Sequence, residues 1–242
     1  ETRFRGVEPD VITYNALISA CRRTSSTTGA EEHETTKALE VFEEMKARDV
    51  EPDVVTYNAM ISVFEKTSFD KAYEFFLEAQ EQPFPPDIVT YGSMLAVCEK
   101  QGEWEAALEI LEDLKKETSG VEPNVVVYNE VLCALSKEKH QWEKALAVLA
   151  DMKKRRGIAP DNISYRAAIA ACGRSGKWEE ALALFEEMPS VGLTPDRVTY
   201  KAIIAGCRKA NRLDKVKELL DAFPHDADFN PITPNGRLGP TK

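Results

Sequence analysis

Three asparagines each stand one place after a tyrosine, at Asn15, Asn58 and Asn129. Their neighbours put them inside the first turn of a helix, where asparagine is a poor helix former and caps nothing. A costly residue repeated at one register points to a function, and the chemistry an amide offers there is hydrogen bonding. A second register holds Asp53, Asp87, Asn124, Asp161 and Asp196, each beside a proline. A helix N-cap accounts for these equally well. A third register is basic in all six copies: Arg23, Lys66, Lys100, Lys137, Arg174 and Lys209. Each ends a helix, where a cation gains about 0.3–1 kcal/mol from the helix dipole with no ligand at all.

Catalytic chemistry has no comparable set of residues. A zinc deaminase would need H-x-E with a downstream C-x-x-C, and a metal nuclease would need an aspartate cluster outside the repeats. Neither is present. His33, His140 and His225 are isolated on expected loops and read as surface residues. Cys21, Cys98, Cys172 and Cys207 share one apolar register, seven residues after a tyrosine, and read as small buried hydrophobes. The chain therefore reads as non-enzymatic, with no cofactor, no metal and no small-molecule substrate.

The elements that must position the three registers come from a repeat. The phrase Pro52-Asp53-Val54-Val55-Thr56-Tyr57-Asn58-Ala59-Met60-Ile61 recurs six times, starting also at Pro9, Pro86, Pro123, Pro160 and Pro195. Successive prolines lie 43, 34, 37, 37 and 35 residues apart, a period typical of solenoids. In each copy four residues at i, i+3, i+4 and i+7 share one helical face, as in Tyr14, Leu17, Ile18 and Cys21. A second helix follows with Ala-Leu-x-x-Phe-x-x-Met, as in Ala38-Leu39, Phe42, Met45 and Ala181-Leu182, Phe185, Met188. Gly120, Gly157 and Gly192, followed by proline, suit left-handed C-caps. Trp104, Trp142 and Trp178 open second helices and are expected to anchor the turns.

These signals divide the chain into repeats 11–53, 54–87, 88–124, 125–161, 162–196 and 197–223, numbered 1 to 6. Residues 1–10 are expected to finish an upstream repeat, because Gly6-Val7-Glu8-Pro9-Asp10 matches later repeat ends, and the chain is then a fragment. A Ser/Thr/Glu-rich insertion over 24–36 accounts for the 43-residue spacing and is expected to be a flexible loop. Residues 224–242, rich in Pro and Gly, are expected to be a disordered tail or linker.

The phrases V-T-Y-N-x-x-I and A-L-x-x-F-x-x-M, closing with G-[IVL]-x-P-D, resemble the pentatricopeptide repeat family in its plain array form, over roughly residues 6–223. The resemblance implies an all-α, right-handed superhelical αα solenoid that binds single-stranded RNA in mitochondria or plastids, one base per repeat. Its base-reading positions are the fifth residue of a repeat and the residue that closes it. These are Asn15 with Asp53, Asn58 with Asp87, Gly92 with Asn124, and Asn129 with Asp161. The Asn–Asp pairs imply uracil; Gly92 with Asn124 leans to adenine; Arg166 with Asp196, and Lys201, fall outside the rule. The second residues, Ile12, Val55, Val89, Val126, Ile163 and Val198, would sandwich bases, and the basic thirteenth residues would meet phosphates. Ordinary packing is the other reading of the β-branched register.

A formal net charge of −10 argues against nonspecific nucleic-acid or membrane binding. A basic ladder along one groove can still act locally, because screening at physiological salt sets in over about 8 Å. The alternative function is a protein-interaction scaffold in an organellar complex, favoured by Gly92, Arg166 and Lys201. No apolar run approaches the length of a membrane span.

Overall fold

The computed structural model describes residues 8–23, 31–116 and 120–222. Six helices carry the repeat phrase: α1 (Val11–Arg23), α3 (Val54–Val63), α5 (Ile88–Gln101), α7 (Val125–Lys137), α9 (Asn162–Arg174) and α11 (Arg197–Lys209). Six more answer them: α2 (Glu31–Ala47), α4 (Phe69–Gln80), α6 (Trp104–Leu114), α8 (Trp142–Lys154), α10 (Trp178–Ser190) and α12 (Leu213–Asp221). No strand occurs among the described residues. The fold is an all-α helical repeat solenoid.

The first helices start where they do because of one local device. Asp53, Asp87, Asn124, Asp161 and Asp196 each accept a backbone N–H three residues on, satisfying a donor the helix cannot. In three of them the hydroxyl oxygen of the phrase's threonine or serine (Thr56, Thr90, Ser164) accepts the cap residue's own backbone N–H. Those hydroxyls are fully buried, so the Thr in Val-Thr-Tyr is a structural reciprocal of the cap. Between repeats the chain turns through left-handed backbone at Gly120, Gly157 and Gly192, with Asp49 in the same role after α2.

Each first helix packs on the next first helix, from α1 through α11, and on the second helices on either side of it. The second helices stand farther from one another and meet only through side chains, as Phe42 and Phe75 do with ring centres 5.2 Å apart. A stack whose first helices approach one another more closely than its second helices curves toward the closer layer, so the first helices line the concave side. The core lies between the layers. Tyr57, Ile61, Tyr128, Leu132, Tyr165 and Ile169 are at most 1% exposed, and the alanines Ala38, Ala72, Ala107, Ala145 and Ala181 are sealed against them. A larger side chain at those alanines would hold the layers apart.

Two expectations change. Helix α2 begins at Glu31, inside the segment 24–36 read as a loop. Buried Glu34 lies one turn before Ala38 and continues its inward face, a periodicity that the polar composition hides. Residues 24–30, 1–7 and 224–242 lie outside the described residues. The tryptophans do more than anchor their own turns: a cation from the following repeat covers each ring. Lys144 sits 3.8 Å from the Trp104 ring centre, Lys177 4.7 Å from Trp142, and Arg212 4.0 Å from Trp178.

Candidate nucleic-acid interface

On a helix the second, fifth, ninth and thirteenth residues fall on one face, opposite the buried fourth, seventh, eighth and eleventh. The concave wall shows that face. Ile12, Val55, Val89, Val126, Ile163 and Val198 are 40–72% exposed, so ordinary packing does not explain the β-branched register. They form an apolar ladder with one rung per repeat. Beside it the fifth and closing residues meet in pairs across four of the repeat joints.

The pairs are built alike in three places. Asn15 donates from Nδ2 to Asp53 Oδ1 at 3.0 Å, and its Oδ1 accepts from Thr56 Oγ1 at 2.7 Å. Asn129 donates to both Asp161 oxygens at 3.1 Å and accepts from Ser164 Oγ at 2.5 Å. Asn58 donates to Asp87 Oδ1 at 3.3 Å, yet its own Oδ1 is buried without a partner. Capping and pairing are therefore not alternatives, since one oxygen serves both. Asp53 Oδ1 takes Thr56 N–H at 2.8 Å as well as the Asn15 amide. Oδ2 of Asp53 and of Asp87 has no partner among the described residues. Burial pushes the Asp53 and Asp87 carboxyls up, but the donated N–H and O–H bonds outweigh it and hold both below the usual range.

Other joints differ. Gly92 leaves a hollow of about 370 Å³ that Val89, Ser93, Asn124 and Glu65 help to line, and Asn124 only caps Val127 N–H, at 3.0 Å. Arg166 lies 3.9 Å from Asp196 Oδ2. Lys201 is exposed and makes no hydrogen bond or ion pair with any described residue.

The basic ladder has a structural side that spacing does not show. Lys137 Nζ donates to the Glu99 carbonyl at 2.6 Å, Arg174 to the Lys137 carbonyl at 3.4 Å, and Lys209 to the Arg174 carbonyl. Each cation thus closes the C-terminus of the preceding first helix, not its own. Lys66 and Lys100 are exposed; the Arg23 side chain lies outside the described residues. Glu99 spans two rungs, 2.9 Å from Lys100 and 2.7 Å from Lys137. Burial opposes ionisation of Glu99, but the two lysines hold its carboxyl down. Glu130 stands beside it; burial first, then Glu99, pushes its carboxyl up. Sequence reasoning missed these acids. Glu130 had a signal, because its sixth position is Ala16, Ala59, Ser93, Ala167 or Ala202 in the other repeats.

Among the described residues no group of three or more His, Cys, Asp or Glu could hold a metal ion, and no helix is long and apolar enough to cross a membrane. Burial pushes the Cys98 and Cys172 thiols up to about 12, which leaves them unreactive at neutral pH.

Family comparison agrees with this architecture along the chain. The pentatricopeptide repeat domain matches residues 1–67 and 75–138, the PPR repeat family 123–173 and 160–209, and the PPR repeat 198–223. The chain belongs to the pentatricopeptide repeat family. The array resembles the pentatricopeptide repeat protein PPR10 in complex with an 18-nt psaJ RNA element, with 28% identity over 89% of this chain and a TM-score of 0.67. It spans 30% of that chain. A structure of PPR10 from maize gives 24% identity, 90% and 34% coverage of the two chains, and a TM-score of 0.66. The PPR domain of Arabidopsis thaliana protein-only RNase P 1, in complex with tRNA, shares the fold at 14% identity and TM-score 0.63, over 89% of this chain and all of that one. No curated protein matches the chain.

Proposed function

We propose that this pentatricopeptide repeat array binds single-stranded RNA along its concave wall, selectively and at one base per repeat, and serves RNA processing, stability or translation in a mitochondrion or plastid. The observation that carries the proposal is the ladder of six exposed β-branched residues at a single register. Exposing six apolar side chains in a row costs free energy in water, and flat unpaired bases are a partner that covers them. A duplex has already stacked its bases and offers nothing to the ladder.

The paired residues supply selectivity. Asn58 keeps one amide hydrogen and Asp87 keeps Oδ2, so together they present a donor beside an acceptor. Uracil shows the complementary edge, an acceptor oxygen beside N3–H. Asn15 with Asp53 holds the same groups more deeply buried, and Asn129 engages both Asp161 oxygens, so strand binding would have to open that pair. The likeness to PPR10, whose complex contains RNA, supports the reading, as do the basic rungs beside the ladder. The compartment is an extension of family resemblance alone.

Fluorescence anisotropy with labelled oligoribonucleotides tests the proposal. Binding to single strands, lost in the matching duplex and weakened by salt, is the expected result. Failure to bind any single strand would leave a protein scaffold as the function of the array.

A further inference from the structure

The concave wall changes character toward its C-terminal end. Fifth residues are amides in repeats 1, 2 and 4, but Arg166 and Lys201 in repeats 5 and 6. Between α9 and α11 lies a hollow of about 450 Å³. Arg174, Lys201 and Lys209 line it, together with Val198 and small residues such as Ala170 and Ala205. No carboxylate lines it. The hollow at Gly92 differs, because Glu65 contributes to its wall and Glu99 pairs with the two rungs that follow.

The joint that creates this hollow is unusually close. A Cβ built on Gly206 would lie 2.8 Å from the Gly173 Cα, so α9 and α11 meet backbone to backbone. That approach draws the thirteenth residue of repeat 5 toward the fifth and thirteenth of repeat 6. The aspartate that opens α11, Asp196, caps the helix through Oδ1 and faces Arg166 through Oδ2. Arg174 and Lys209 are partly occupied by backbone carbonyls, which carry no net charge and leave their positive charge unbalanced.

We infer that this hollow is an anion subsite in which Lys201, with Arg174 and Lys209, takes a phosphate of the bound strand where other repeats take a base. The inference rests on the RNA-binding reading above. The chemistry favours phosphate over a base edge for two reasons. The small side chains of the hollow offer no hydrogen-bond acceptor to a base. An ammonium on a flexible stem is a point charge suited to phosphate oxygens, without the planar fork that reads a base edge in two places. A phosphodiester inside the strand and a terminal monophosphate share this chemistry.

The test compares wild type with Lys201→Gln, a change at an exposed residue without partners, whose unaltered melting curve is checked first. Single strands long enough to overrun both ends of the array are titrated over a series of salt concentrations. Lys201→Gln should bind severalfold more weakly whatever the base sequence, with the slope of log K against log salt shallower by about 0.7. Replacing single linkages by neutral methylphosphonates should abolish the difference between the two proteins at one linkage if the phosphate is internal. Removing a 5′ or 3′ phosphate should do so if it is terminal. Wild type that binds while Lys201→Gln matches it in affinity and slope overturns the subsite and leaves the RNA reading standing. A changed preference at one base with an unchanged slope overturns it in favour of base reading by Lys201. Wild type that binds no single strand removes both readings.

Discussion

The two walls of the solenoid are joined by different physics. Along the concave wall the first helices touch, and their joints are sealed by buried side chains and by the Asn–Asp–Thr hydrogen bonds. Along the convex wall the second helices stand farther apart; beyond the Phe42–Phe75 ring contact they are spanned by ion pairs: Lys46–Glu78 at 2.8 Å, Lys115–Asp151 at 2.8 Å and Lys153–Glu187 at 2.6 Å. Each of those acids also accepts a tyrosine hydroxyl, from Tyr57, Tyr128 and Tyr165 in turn. In repeat 2 the lysine slot is Gln80, so this bridge is missing before Tyr91. Packing fixes geometry steeply, whereas half-exposed ion pairs are weak and screened by salt. The wall that faces the proposed ligand is therefore the stiff one, and the outer wall is free to adjust its spacing.

The contrast can be broken most forcefully from inside. Leu132→Ala empties a fully buried site between α7 and its neighbours, and should lower stability by about 2–5 kcal/mol in a denaturant titration. Next comes Asn129→Ala, which strips Asp161 and Ser164 of a buried partner and should cost about 1–3 kcal/mol. Asn58→Ala should cost less, because the Asn58 carbonyl oxygen already lacks a partner. Equal losses at the two asparagines would show that the inner joints do not depend on these bonds.

Titration separates the walls in a different way. Burial, reinforced by Glu78 and Asp151, raises the Tyr57 and Tyr128 hydroxyls above the ordinary value of 10.0. A raised phenol contributes stability that is intact below its unfolded value and is lost as pH climbs past it. Melting temperature should fall above pH ~10 as the outer wall loosens. Acid works with the opposite sign. Asp53 and Asp87 inside, and Asp151 outside, are held below 3.8, so their contribution is present above that value and fades as pH drops beneath it. Alkali should thus strain one wall and acid both, which circular dichroism melts across the pH range can resolve.

Lys153→Met should cost no more than about 1 kcal/mol, and the cost should shrink in high salt. A loss as large as that of Leu132→Ala would erase the distinction between the walls. The smallest effect on affinity, and the sharpest on selectivity, is expected from Asn58→Thr. Stacking on Val55 and Val89 remains, so total RNA affinity should hardly move. The preference at the facing base should pass from uracil toward guanine in competition between strands that differ only there. Wild type that prefers uracil beside a mutant that prefers it equally would exclude base reading by Asn58.

Much of this was legible because each repeat restates it. Tyr57, Met60 and Ile61 mark the buried face of α3, Asp53 its start, and the second helix follows from Ala72, Phe75 and Phe76 on one face. What could not be read depends on residues about 35 positions away. Nothing local says that Lys137 reaches the carbonyl of Glu99, that Lys144 covers Trp104, or that Glu99 occupies two rungs. Those contacts arise from how adjacent repeats stack, and each repeat varies its own copy of them. The start of α2 was missed for a composition reason, since Thr35 and Thr36 mask the face that Glu34 shares with Ala38.

The Gly173–Gly206 meeting also limits how freely the units could be interchanged. At the tenth position, where repeat 6 has Gly206, the other repeats carry Ala20, Val63, Val97, Ala134 and Ala171. A unit with any of these grafted after repeat 5 would bring a methyl group or more to within 2.8 Å of backbone that has no side chain to swing aside. Repeats 5 and 6 therefore form one inseparable cassette. In a recombined array they would have to travel together, while repeats 1, 2 and 4 could be exchanged by matching their Asn–Asp latches.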